Sequence, residues 1–185
     1  MSPSGIIPTF DFYKTLDNDL RFEFCRLEES YNPYDTSLPH RHNYYEILFF
    51  NDSGGTHEID FNNYPVQKNT LHFISPEQVH MLRREKQVTG FVLSFTSEFC
   101  LTEKSGTSFI NNFPFFNNPY ASPLVKMKNA AQQKEMSDII FKVQEEYNSD
   151  HPDKADVLFN WLSIFLITAR RFYVVMNNEG KSLPV

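Results

Sequence analysis

The chain has 185 residues, 17 Lys and Arg against 23 Asp and Glu, a formal net charge of −6, and two cysteines. That length fits one domain, or one domain with an appendage. The acidic balance excludes a basic footprint for gripping nucleic-acid phosphates within this chain.

The N-terminal stretch 1–19 has neither a basic nor an apolar signal-peptide region. Its segment PTFDFYKTL (8–16) is apolar enough to dock, either as an edge strand or as an arm across a pocket. Strands are then expected over 20–27, where Leu20, Phe22 and Phe24 alternate with Arg21 and Glu23, and over 43–50. NDSGG (51–55) reads as a turn, and THEIDF (56–61) as a strand reversed at Asn62-Asn63 into YPV. TLHFIS (70–75) and VTGFVLSF (88–95) complete the set, with Arg83, Arg84 and Lys86 read as a solvated charge run on a turn. Short strands at this spacing suggest a barrel or sandwich.

The segment 97–120 has no clear period, and its aromatic loop either closes the barrel mouth or packs beneath later helices. PLVKM (123–127) reads as a last strand. Asn129 with Gln132 has the spacing of a helix cap, and Met136, Ile139, Ile140, Val143 and Tyr147 recur at helical period. A second helix starts near Asp153 and runs to about Met176. Its most apolar run, 157–169, is shorter than the roughly 20 residues of a membrane span, so no membrane partner is expected. Cys25 and Cys100 lie outside any C-x-x-C spacing; buried, inert thiols in a reduced cytoplasmic protein are expected.

The stretch SLPHRHNYYEILFF (37–50) carries the chemistry. On a strand His40, His42, Tyr44 and Glu46 share one parity, on a face that turns apolar toward Phe50. Two imidazoles, a phenol and a carboxylate over an apolar floor make a ligand pocket. His80, after the Pro-containing turn that follows 70–75, is a further polar group near them. The same His40, His42, Glu46 and His80 form a possible divalent-metal set. His57 and His72 lack that spacing and are read as satisfied strand histidines; His151 is read as solvated.

H-x-H, then Glu46 and Gly54, then Pro76-Glu77-Gln78-Val79-His80, resembles the cupin superfamily, with Gln78 and Asn69 where that family has glycine. More narrowly, H-x-H-x-x-Y-E, the hairpin GTHEIDFNNYPV and FISPEQVH resemble the N-terminal sensing domain of AraC-type transcription regulators over about residues 10–175. The resemblance implies a cupin-like double-stranded β-helix (jelly-roll) barrel over 20–128 behind an arm of 1–19. It also implies a helical dimerisation pair over 129–177 and the start of a linker at 178–185. It implies a small-molecule effector, of which a sugar is the best-known type, in a pocket of His40, His42, Tyr44, Glu46 and His80. DNA would be read only by a helix-turn-helix domain that this chain lacks, so a piece of a longer protein is expected. The second helix is apolar nearly all round, and a homodimer through Leu158, Trp161, Leu162, Phe165 and Ala169 is expected. No cofactor is expected, beyond an adventitious zinc or nickel ion. The alternative is a small metal-dependent cupin oxygenase or isomerase.

Overall fold

The computed structural model describes residues 7–12, 20–30, 34–101, 108–118 and 120–179. The expected arm and linker lie partly outside these residues.

Among the described residues ten short strands form three sheets. β1 (Thr9–Phe10) pairs in parallel with β3 (Arg41–His42). β2 (Phe22–Arg26), β4 (Tyr45–Phe50), β7 (Thr70–Ile74), β9 (Gly90–Phe95) and β10 (Leu124–Lys126) make a five-stranded sheet in the order β10-β7-β4-β9-β2. β5 (Gly55–Ile59), β6 (Asn62–Pro65) and β8 (His80–Arg84) make a three-stranded sheet in the order β6-β5-β8. A single antiparallel bridge, His40 to His80, ties β8 to the chain just before β3.

Period-two alternation sends the side chains of the larger sheet to two different cores. Phe22, Phe24, Ile47, Phe49, Leu71, Phe73, Leu93 and Phe95 leave one face and join the helices. Leu48, Phe50, Ile74 and Val92 leave the other and meet Ile59, Val66 and Leu82 of the smaller sheet and its flanks. The two sheets therefore face each other across an apolar interior. Among the described residues the strand pairings do not close into one barrel.

The turns differ from the expected ones in two places. The β5–β6 hairpin reverses at Asp60-Phe61, both left-handed at φ 46° and 65°, and not at Asn62-Asn63, which are already in β6. Two consecutive positive φ values give the turn a twist that matches paired strands. Arg83 and Arg84 belong to strand β8, not to a solvated turn. Gly55 has φ 108°, and a Cβ there would lie 2.1 Å from the Arg83 carbonyl, so the β5–β8 pairing needs glycine at that point.

The aromatic segment forms two helical turns, α1 (Ser108–Asn111) and α2 (Pro114–Asn117), where the sequence suggested an irregular loop. Phe113, Phe115 and Phe116 are buried beneath the helices, with Phe115 stacked on Phe73 at 3.9 Å. α3 (Ala130–Tyr147) starts as expected, with Asn129 Oδ1 accepting from the Gln132 amide at 3.0 Å. α4 (Lys154–Glu179) runs past the expected end and into the segment assigned to a linker.

α4 is the one helix among the described residues long and apolar enough, by length and composition alone, to cross a membrane. Its apolar face is accounted for within the chain. Leu158, Leu162, Phe165, Leu166 and Ala169 are fully buried in the helix-side core. The aromatic segment adds cover, with Phe109 near Phe159 and Phe115 near Tyr173. Four of the five residues expected to hold a dimer are thus spent on the chain's own core. Only Trp161 keeps partial exposure, one turn before exposed Ile164.

Candidate functional site: a histidine-rich cavity between the sheets

The two sheets leave a cavity of about 510 Å³ at one end of their interior. His40, Tyr44 and Glu46, which strand parity put on one face, line it, and so does His80, which follows the turn after Ser75. His42 stands just behind this wall, its Nε2 3.8 Å from Glu46 Oε2. The bends at residues 43 and 44 do not throw His42 and Glu46 to opposite faces. Leu48 on the same strand face also lines it, and the sequence did not mark the rest: Glu23 and Cys25 on β2, Leu82 and Arg84 on β8, Val92 and Ser94 on β9, and residues after β2 between Leu27 and Thr36, Tyr34 and Asp35 among them. Glu23 pairs with Ser94, and Ser94 with Glu46, so these three side chains share one row across three strands.

Five of the six histidines are buried around this space. His40 Nδ1 lies 2.8 Å from the Leu38 carbonyl, and His42 Nδ1 lies 2.7 Å from the Tyr44 carbonyl. A carbonyl accepts, so each Nδ1 carries a proton. The Tyr44 ring stacks on His42 at 4.0 Å. His57 and His72, read from sequence as satisfied strand histidines, find their partners within the cluster. His72 Nδ1 is 3.0 Å from His57 Nδ1, and His57 Nε2 is 3.1 Å from His80 Nδ1.

Burial pushes the pKa values of His40, His57 and His80 down, and pulls His72 down to about 3. The imidazoles are therefore neutral at pH 7, with one N–H each. A chain of three such rings has two proton arrangements. In one, His80 Nε2 ends in N–H and His72 Nε2 is bare; in the other the two ends are exchanged. Both end atoms, and His42 Nε2, are buried without a hydrogen-bond partner. The signal that could have found this chain was parity: His57 and His72 share faces with Ile59 and Ile74, which point into the same interior.

His42, Glu46 and His80 each offer a ligand atom within 4.8 Å of the others. His40 is not in that group, so the four-residue metal set reduces to three. The missing glycines do not disable the site's turns. Asn69 takes the left-handed conformation at φ 59°, and Glu77 does so at φ 67°. Gln78 Oε1 accepts from the Ser75 amide at 2.7 Å, and Gln78 Nε2 donates to Asp60 Oδ2 at 2.8 Å. The turn is thereby pinned to the β5–β6 hairpin, and His80 is delivered to the cavity.

The N-terminal segment docks beside the cavity. The Arg41 amide donates to the Pro8 carbonyl, and the Asn43 amide to the Phe10 carbonyl. Phe10 stacks on the cavity residue Tyr34 at 3.7 Å, and Phe12 is buried with its ring edge-on to Tyr44 at 5.5 Å. On the far side Tyr147 of α3 packs near Phe22 and Phe24, and its hydroxyl donates to Glu23 Oε2 at 2.8 Å.

Three comparisons bear on this arrangement. No curated protein matches the chain. Among solved structures, the apo form of a ToxT variant from Vibrio cholerae strain SCE256 is 13% identical, with a TM-score of 0.46 over 85% of this chain and 58% of that one. The AraC-like transcriptional activator CuxR is 9% identical, with a TM-score of 0.42 over 77% of this chain and 54% of that one. The plu4264 protein from Photorhabdus luminescens is 17% identical, with a TM-score of 0.29 over 59% of this chain and 98% of that one. The chain thus spans less than two thirds of the length of ToxT or CuxR. The profile of the AraC-like ligand binding domain matches residues 21–151, which include both sheets, every cavity residue and α3. The chain belongs to the AraC-like ligand binding domain family.

Proposed function

We propose that this domain is the effector-sensing unit of an AraC-type transcription regulator. A small molecule binds in the cavity of a cupin-like β-domain, at His40, Tyr44, Glu46 and His80, with His42 and the inward residues of β2 and β9 around it. The observation that carries this reading is the cavity's position. Its wall is touched by the docked N-terminal segment through Tyr34 and by helix α3 through Glu23. Occupancy can then favour one arrangement of arm and helices, which is all that a population shift requires. In this reading the protein is cytoplasmic, has no catalytic role, forms a homodimer through its helices, and reaches DNA through a helix-turn-helix segment outside this chain.

A thermal-shift screen of small metabolites tests the cavity. A hit should raise the melting temperature of the native chain and should be lost in Ser94→Leu, which fills the wall between Glu23 and Glu46. A hit that survives this filling would remove the cavity from the reading. The gene is the second test: beyond the codon for Val185 an in-frame helix-turn-helix segment is expected, and a stop codon there would sink the regulator reading.

A second reading has its own observation, the convergence of His42, Glu46 and His80. Two imidazoles and a carboxylate suit zinc, nickel or iron. An adventitious ion at these three residues fits the sensing reading; a metal-dependent oxygenase or isomerase does not. Elemental analysis after purification and chelation is expected to show no stoichiometric iron or manganese. Retained metal together with oxygen-dependent turnover would select the enzyme.

A further inference from the structure

The ligand class can be argued from the charge around the cavity and the geometry of its acceptors, resting on the effector-binding reading above. Four carboxylates line the cavity: Glu23 and Glu46 within, and exposed Glu29 and Asp35 at its mouth. Arg84 is the single cation in the described lining, and its guanidinium is bound to the Leu27 and Val88 carbonyls at 3.0 and 3.2 Å. The field reaches the wall: Cys25 is pushed up to about 12 by burial and then by Glu23, Glu46, Glu29 and Glu28. A cleft lined by one sign of charge concentrates the opposite sign.

A second, independent observation lies at the inner end. His80 is 3% exposed and His42 is fully buried, and each has an Nε2 without a partner beside Glu46. One of the two proton arrangements leaves His80 Nε2 bare to accept; the ligand atoms of the three residues lie within 4.8 Å of one another, with His42 and Glu46 3.8 Å apart. An ammonium group has three N–H donors, and hydrogen bonds of about 2.9 Å place its acceptors about 4.7 Å apart. A tetrahedral zinc ion at about 2.1 Å draws its ligands to about 3.4 Å. The His42–Glu46 pair, at 3.8 Å, lies between these two spacings, and the carboxylate lining decides for the ammonium.

We propose that the cavity takes a small aliphatic amine, its ammonium head held by Glu46, His42 and His80. Glu23 lies two strand spacings from Glu46, roughly 10 Å, across Ser94. A carboxylate has room for several donors, so Glu23 can receive a second ammonium while it accepts from Tyr147. The aliphatic stem runs over Leu48 and Val92 between them.

Calorimetric titration of the chelator-treated, full 185-residue chain tests this with three six-carbon probes: 1,6-diaminohexane, 1,6-hexanediol and adipate. They share a backbone and differ in charge. The diamine is expected to bind one per chain, and Glu46→Gln to weaken it at least tenfold. Ser94→Lys supplies an ammonium from the chain itself, between the two carboxylates. It is expected to abolish diamine binding and to raise the melting temperature, where an unpaired buried lysine would lower it. Preference for the diol or for adipate overturns the amine class and leaves the effector cavity standing. Zinc binding without diamine binding, or undiminished affinity in Glu46→Gln, also overturns the proposal. Failure of all three probes does the same, while the metabolite screen separately decides the fate of the cavity.

Discussion

His72 shows what a buried imidazole does to the energetics of this domain. It is fully buried, edge-on to Phe50 at 4.9 Å, and held at a pKa of about 3 by burial. In the unfolded chain the same ring titrates near 6.5. Between these values the unfolded state binds more protons, so stability rises with pH through that window. The contribution of His72 is complete above pH 6.5 and is lost as pH falls toward 3. His40, His57 and His80 are depressed too and add loss of the same sign over the part of the range each spans. Each titrating group contributes a slope of up to about 1.4 kcal/mol per pH unit. Urea midpoints measured from pH 7.5 to 4.5 are expected to fall steeply below pH 6.5, and less steeply in His72→Phe. Equal slopes for the two proteins would refute burial of a neutral His72.

At the scale of elements, the turn 75–79 decides whether His80 arrives in the cavity. Gln78 accepts from Ser75 and donates to Asp60, and Asp60 also accepts from the Val79 amide. Gln78→Ala removes two hydrogen bonds at a partly exposed site, and a loss of about 1–2 kcal/mol in denaturant unfolding is expected. A change under 0.5 kcal/mol, on the order of an ordinary surface substitution, would mean that Gln78 does not pin the turn. This turn also shows where sequence reading stops. Strands β2, β4, β7 and β9, the cap of α3 and the parity of His40 to Glu46 are local patterns, and they were legible. The hairpin at Asp60-Phe61 was not, because nothing in Asp-Phe signals two left-handed residues; the tie from Asp60 to residues 78 and 79 holds it there. The histidine chain was also hidden, since His57, His72 and His80 meet only once two sheets face each other. Strand β8 was read as a turn because Arg83 and Arg84 are charged, whereas Arg84 spends its charge on two backbone carbonyls.

Across the whole molecule, the helix pair has an inner and an outer surface. The inner one holds Met136, Ile139, Ile140 and Val143 of α3 against Leu158, Leu162, Phe165 and Ala169 of α4 and the outer face of the large sheet. The outer one leaves Ile164 and Val174 of α4 42% and 48% exposed, with half-buried Trp161 one turn before Ile164. A proposed two-fold dimer must use this outer surface. Ile164→Glu is expected to shift the chain from dimer to monomer in sedimentation at micromolar concentration, with its unfolding transition unchanged. Leu162→Asp is expected to unfold it, because an unpaired charge in the core is costly. A monomeric native chain would reject the dimer outright.

The hydrogen bond from Tyr147 to Glu23 makes one carboxylate serve both the cavity wall and the helix unit. A ligand that draws on Glu23 changes what holds the end of α3, and thermodynamic reciprocity makes the converse hold by the same factor. In the proposed sensing reading, a load on the helix side that stretches this contact would alter the affinity of the cavity for its occupant. The domain is in that sense a balance with two pans, and weighing on either one moves the other.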